Sequence, residues 1–419
     1  MRILIIGGGG REHALAWKIK QSSRCSRIFC MPGNGGISDI AECIGIEATD
    51  IRGAVKFAKQ NLIDLAVVAP DDPLALGMVD ALESEGVRAF GPRKNAAIIE
   101  ASKVFAKDLM HKYEIPTPEF RVFTDYSEAI SYLRHTQYPT VIKADGLALG
   151  KGVIIASNCQ EAFEVVDNMM NKKIFGIAGS RIIIESFITG DEVSVLAFTD
   201  GKTIIPMISA KDHKRVYDGN RGPNTGGMGV FSPSTTYNNA IATEAFERII
   251  EPTIKAMNNE ERAFSGVLYF GLMLTSNGPY VLEYNARFGD PETQALLPLL
   301  KTDLLEIFDA ILSRNLADIN IKWEDKASVC VVLASGGYPG EYIKGNEILG
   351  INCPVFEEDV CIFHSGTKKV GEKYYTNGGR VLGVTALDDC VEKAAAKAYR
   401  NVEKISFEGM HYRKDIGIV

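Results

Sequence analysis

Residues 278–292 read GPYVLEYNARFGDPE, an apolar stretch that turns abruptly into a packed run of acidic, amide and guanidinium side chains. As a strand, its period of two sets Val281, Glu283 and Asn285 on one face and Leu282 and Tyr284 on the other. Two oxygen donors at i and i+2 can share one magnesium ion, with nucleotide phosphates and water completing the octahedron. Arg287 has the same parity, and a guanidinium suits bidentate contact with a carboxylate. A polar edge strand would also look like this, but the density of functional side chains favours chemistry.

Upstream, VIKADGLALGKGV spans 141–153. Lys143 lies on a strand bounded by Pro139 and Gly146, and the glycines that follow, with Lys151, could close over a polyphosphate. The spacing is not that of a P-loop, because Gly152 stands where a hydroxyl residue would be needed. A hairpin with solvated lysines fits this segment taken alone. The strand RIIIESFI (181–188) leads through Thr189 and Gly190 to Asp191 and Glu192. Glu185 could serve an adenine edge and Glu192, seven residues later, the ribose hydroxyls; both also fit solvated loop ends.

At the N-terminus, RILIIG (2–7) reads as a buried strand, Gly7 to Gly10 as a turn, and residues 11–21 as an amphipathic helix. IDLAVVAP (63–70) and VRAFGP (87–92) are further strands, and this alternation implies a parallel α/β sheet. The glycines either bring backbone N–H groups to a phosphate at the positive helix end or form only a tight turn. Glu12 occupies the last glycine position of a dinucleotide fingerprint, so a nicotinamide cofactor is disfavoured. The run GPRKNAAIIEASKVFAKDLMHKYEIPTP (91–118) supplies a turn, a long helix and an exit bounded by Pro116 and Pro118. The expected units are an N-terminal open parallel α/β domain (1–101), a two-lobed α+β core (102–190 and 191–325), and a small, mostly β module (326–419).

With 419 residues, the chain exceeds the roughly 250–300 at which single cores stop growing, so several packed units are required. A net charge of −7 argues against a nucleic-acid partner. The eight cysteines, at 25, 30, 43, 159, 330, 353, 361 and 390, show no CxxC spacing and suggest neither zinc nor disulfides. No window approaches the roughly 20 apolar residues of a membrane span. A cytoplasmic protein without membrane contact, and a monomer, is expected.

Lys143 with its glycine loop, Glu185 through Glu192, and Glu283-x-Asn285 before RFGDPE together resemble the ATP-grasp superfamily. Within it, GGGGREHALAW (7–17), IKADGLALGKGV (142–153), DHKR (212–215) with GPNTGGMG (222–229), and EYNARFGDPETQ (283–294) resemble the glycinamide ribonucleotide synthetase family. SGGYPG, TNGGRVLGVTA and RKDIG extend the likeness through the last module. The chain departs from the family at Ala69-Pro70-Asp71-Asp72, where Gly-Pro-Glu is usual.

The resemblance implies ATP between two lobes, with Lys103, Lys143 and Lys151 at its phosphates. Phe187 and Ile188 would offer backbone to adenine, Glu185 would accept from its amino group, and Glu192 would hold the ribose. Glu283 and Asn285 would bind Mg²⁺ or Mn²⁺, and Arg287 would meet the glycine carboxylate. Gly9, Gly10, Arg11, Asp71, Asn224, Lys368 and Arg380 would surround 5-phosphoribosylamine, while Asp212 would join Lys143 and Arg287 as catalytic. The implied reaction activates glycine as glycyl phosphate, whose phosphate leaves readily when the amine attacks. Another ATP-grasp ligase or a carboxylase of purine biosynthesis is the alternative.

Overall fold

The computed structural model describes residues 1–147, 152–351 and 356–418. RILIIG forms the strand Arg2–Gly7 at the centre of a five-stranded parallel sheet. From one edge to the other, the order is Glu42–Cys43, Arg27–Pro32, Arg2–Gly7, Leu65–Val68, Ala89–Phe90. Continuous apolar runs are what a strand covered on both faces needs. Leu4 and Ile6 accordingly enter one hydrophobic core, and Ile3 and Ile5 another on the opposite face. The helix Gly10–Lys20 is not amphipathic as expected, because even Arg11, Glu12 and His13 are buried on it. It packs against the wholly buried helix Glu292–Leu299 as well as its own sheet.

The single long helix expected within 91–118 is two, Lys94–Ala101 and Lys103–Lys112. Ser102 lies between them in extended conformation, and its hydroxyl accepts from the Phe105 N–H at 3.1 Å, capping the second helix.

Next comes a four-stranded antiparallel sheet in the order Phe120–Phe123, Ile182–Ser186, Thr140–Ala144, Val153–Ala156. Ile142 and Ala144 point into its core with the helices Tyr126–Leu133 and Cys159–Val166. Lys143, on the alternate pleat, therefore faces away from that core. A second four-stranded antiparallel sheet has the order Ile204–Pro206, Asp191–Thr199, Gly266–Thr275, Gly278–Asn285.

The C-terminal module is not built from its own residues alone. Its five-stranded antiparallel sheet runs Lys211–Asp212, Gly229–Ser232, Ala327–Ala334, Arg380–Asp388, Val360–His364. Two strands thus come from before residue 325, joined to the module by main-chain hydrogen bonds. The helix Val391–Val402 covers one face of this sheet. No helix among the described residues is long and apolar enough to cross a membrane.

Candidate active site

The four sheets border a central cleft of about 830 Å³. Its walls include Arg11, Asp71, Lys103, Lys143, Glu185, Phe187, Ile188 and Glu192. Asp212, Asn224, Glu283, Asn285, Arg287 and Arg380 complete the expected residues found there. Lys151 falls outside the described residues. Gly9 and Gly10 stand beside the cleft, a Cβ on the first meeting Asp290 and on the second Gln294 and Ser365. Lys368 is not brought to the cleft; it lines a separate open recess with Lys344, Tyr375 and Asn377.

The strand Gly278–Asn285 differs from a simple alternation. Gly271 pairs with Glu283 while Leu272 pairs with Val281, leaving Leu282 as the extra residue of a bulge. Val281 and Tyr284 consequently share the core, and Leu282, Glu283 and Asn285 line the cleft. The expected grouping of Val281 with Glu283 and Asn285 is thereby corrected. The Leu282 carbonyl accepts from Lys143 Nζ at 2.9 Å, so Lys143 bridges the two lobes.

Lys143 also lies 2.9 Å from Glu185 Oε2, and Lys107 lies 3.1 Å from Glu185 Oε1. Both oxygens of Glu185 are engaged in a dry environment, while its main-chain carbonyl accepts from Thr140 Oγ1 at 2.8 Å. The side chain expected at the adenine amino group faces two ammonium ions on the cleft wall. Burial lowers Lys107 to about 8 even with Glu185 beside it. Lys103, also lowered by burial, donates to the Gly146 carbonyl at 2.7 Å.

At the other end, Lys214 sits 3.4 Å from Glu283 and 3.5 Å from Glu192. Its charge, with those of Lys143 and Lys103, holds Glu283 down near 2. Asp212 is pushed the other way, to about 7, by burial and by the carboxylates of Glu292, Glu192 and Glu283, against the pull of Lys214. Glu283, held ionised by these cations, is a hard oxygen donor. Asn285 supplies the second oxygen on the same wall. Among the described residues no group of three or more His, Cys, Asp or Glu could hold a metal by itself. Two protein oxygens suit magnesium carried in on substrate phosphates better than a resident ion in a protein cage.

Arg287 is paired with Glu100 at 2.9 Å. Burial would raise the Asp71 carboxyl, but Arg287 and Arg11 beside it keep it below its ordinary value. Arg380 is no surface cation: it pairs with Asp290 at 3.1 Å and donates to the carbonyls of Gly226 and Asp290. The glycine turn is closed from within. Glu12 Oε2 accepts the Gly9 N–H at 2.5 Å, and Glu12 Oε1 lies 2.6 Å from Arg11 Nε. A phosphate at this helix end would meet a carboxylate.

Sequence reasoning missed Glu100, Lys107, Lys214, Asp290 and Glu292, all in the cleft wall. Lys214, Asp290 and Glu292 stood inside quoted motifs. Glu100 and Lys107 gave no signal, being ordinary helix charges outside any motif.

Family models of phosphoribosylglycinamide synthetase match the whole architecture: the N domain at residues 1–100, the ATP-grasp (A) domain at 101–293 and the C domain at 328–419. The chain belongs to the phosphoribosylglycinamide synthetase family. A phosphoribosylamine–glycine ligase from Caldanaerobacter subterraneus is 51% identical over 416 residues, covering 99% of each chain. The crystal structure of the ligase of that name from Thermotoga maritima superposes with a TM-score of 0.84 at 33% identity, over 99% of this chain and 100% of the other. At 15% identity the likeness is one of fold alone: a biotin carboxylase domain from Hydrogenobacter thermophilus, solved with MgADP and bicarbonate, gives 0.74 over 98% of this chain and 91% of its own. The chain is accordingly an ATP-using ligase of purine biosynthesis that joins glycine to phosphoribosylamine.

Proposed function

We propose that the cleft performs this ligation with ATP between the lobes and the two other substrates on the side of the N-terminal domain and the C-terminal module. Lys103 and Lys143 take the phosphates, together with Lys151. The backbone at Phe187 and Ile188 takes the adenine edge, and Glu185 acts as the counterion that orients Lys143. Glu192 receives the ribose hydroxyls. Mg²⁺ is held by Glu283 and Asn285, as their donor chemistry suits and as the MgADP complex of the carboxylase neighbour suggests; when bound, it neutralises phosphate charge.

Arg287 receives the glycine carboxylate and turns one oxygen toward the γ-phosphoryl group. Transfer yields glycyl phosphate and ADP. The amine of 5-phosphoribosylamine then attacks the acyl carbon, and phosphate leaves. Asp212, whose raised affinity for a proton suits it to the task, accepts the proton that the attacking amine must lose. Arg11, Asp71, Asn224 and Arg380 border the phosphoribosylamine. The rest is positioning and charge neutralisation. The seven described cysteines are free thiols, which favours the cytoplasm.

The observation that carries this reading is the convergence of Glu283, Asn285 and Arg287 on the same cleft as Lys103 and Lys143. The test is ADP release with each substrate omitted in turn, in the parent and in Arg287→Lys. Glycine-dependent release is expected, with the Michaelis constant for glycine raised about tenfold or more in the variant, since hydrogen bonds to charged groups contribute roughly 1.5–3 kcal/mol. Release with bicarbonate in place of glycine would overturn the substrate assignment, and an unmoved glycine constant would overturn the role of Arg287.

A further inference from the structure

Glu100 lies near the end of the helix Lys94–Ala101, within the stretch matched by the N-domain model, yet it reaches across to the strand that carries the metal and carboxylate groups. It is 8% exposed. Its two oxygens are divided between two neighbouring targets: Oε1 lies 2.9 Å from a terminal nitrogen of Arg287, and Oε2 accepts the main-chain N–H of Ala286 at 2.7 Å. One carboxylate thus grips the end of the arginine side chain and the peptide just before its Cα. The other terminal nitrogen of Arg287 donates to the Phe288 carbonyl at 3.2 Å, an oxygen that also accepts from Arg11. Arg287 Nε is buried without a hydrogen-bond partner, although the guanidinium lines the cleft.

A long, flexible side chain loses much of its rotamer entropy when it must present one orientation to a ligand. Contacts that fix it beforehand remove that cost from the binding step. Arg287 Nη2 also donates to Asn285 Oδ1 at 3.4 Å, so the held guanidinium stays beside the strand end that lines the cleft.

We propose that Glu100 is a positioning residue for the amino-acid substrate, holding Arg287 from the N-terminal domain so that the guanidinium lining the cleft receives the glycine carboxylate. This rests on the reading of Arg287 given above. Glu100 touches no substrate, and its effect passes entirely through the arginine. A simple staple between domains would instead lower stability and weaken all three substrates alike.

The experiment compares Glu100→Gln, Glu100→Asp and Arg287→Lys, singly and as the Glu100→Gln, Arg287→Lys double variant. Michaelis constants for glycine, ATP and phosphoribosylamine are measured separately, with melting temperatures alongside. Glu100→Gln keeps an acceptor for the Ala286 N–H but presents no charge to Arg287. The glycine constant should rise at least fivefold in it, with the ATP constant within twofold of the parent. Glu100→Asp, which retains the charge on a shorter arm, should recover part of the loss and carries the same comparison if Glu100→Gln does not fold. In the Arg287→Lys background the Glu100 substitution should add less than twofold, since its route is already cut. A glycine constant unchanged in Glu100→Gln but raised in Arg287→Lys overturns the positioning role and leaves the Arg287 reading standing. A parallel rise of all three constants with a lowered melting temperature also overturns it, in favour of a staple. An unmoved glycine constant in Arg287→Lys removes the carboxylate contact itself and this proposal with it.

Discussion

The strand end at 283–287 and the glycine run at 7–10 are both rich in the residues that bind small ligands, but the fold treats them oppositely. At the strand end, Glu283 and Asn285 project into the cleft, and the charge of Glu283 is balanced by other cleft side chains such as Lys214. In the glycine run, the polar groups are answered locally: Glu12 takes the Gly9 N–H, and Asn34 Nδ2 donates to the carbonyl of Gly8 at 2.9 Å. The glycines serve approach of chain to chain, a Cβ on Gly8 falling 2.5 Å from the Gly33 carbonyl oxygen. A ligand site needs donors whose partners can be exchanged for the ligand. A packing site spends them.

The largest expected effect tests the exposed half of this contrast. Glu283→Gln should reduce turnover by about 100-fold or more at ordinary magnesium while the fold persists, because a metal's stabilisation of phosphoryl charge is worth several kcal/mol. Magnesium titration of the variant checks it; turnover within a few-fold of the parent would make the strand end no more than a polar edge.

Arg380→Ala sharpens the comparison on the side of the cleft near the glycine run. If that side binds an anionic substrate, side chains must do it, because the Gly9 amide is already taken. The phosphoribosylamine constant should rise about tenfold, the value of roughly one charge-assisted hydrogen bond, with glycine and ATP hardly affected. Steady-state kinetics with each substrate varied in turn would show it.

A pH experiment addresses the sealed half. Burial holds His13 neutral, down near 3, and His364 near 4. His13 Nδ1 accepts the main-chain N–H of His364 at 2.8 Å, tying the glycine helix to the C-terminal module. In the unfolded chain both rings take up protons below about 6.5, so stability is lost as pH falls from there toward 4 and levels off below the folded values. His13→Asn, whose amide oxygen can replace the ring acceptor, should remove part of this loss. Between pH 7 and 5 the parent's melting temperature should fall more than the variant's, by on the order of a few degrees.

The smallest effect belongs to Lys368→Ala. Standing in an open recess away from the cleft, Lys368 should alter every Michaelis constant by less than about twofold, as exposed cations generally contribute little. A phosphoribosylamine constant raised as far as in Arg380→Ala would return the recess to the active site.

Much of this site was legible before the fold was known. Glu283, Asn285, Arg287 and Lys143 declare themselves because strands alternate and functional side chains were crowded on short stretches. The bulge at Leu282 was hidden, since it depends on how Gly266–Thr275 pairs beside it and Gly271 is where the register slips. Glu100 and Lys107 were hidden for a related reason. Each is an ordinary helix charge outside any motif, and only tertiary packing brings it to Arg287 or Glu185. The short strands Lys211–Asp212 and Gly229–Ser232 lack an apolar run long enough to announce a sheet, and the link from Gly229–Ser232 to the C-terminal module is made to Ala327–Ala334, far along the chain.

That shared sheet decides which part of the enzyme is detachable. A cut near residue 325 would strip Gly229–Ser232 of its neighbour and leave a raw hydrogen-bonding edge on each fragment, so the last module cannot be shed, swapped or fused elsewhere as a cassette. The lobe spanning roughly 118–186 is different: its four strands pair only with one another among the described residues, and its core is its own. It is the part that a protease nick, a circular permutation or an inserted reporter would leave the remainder able to survive.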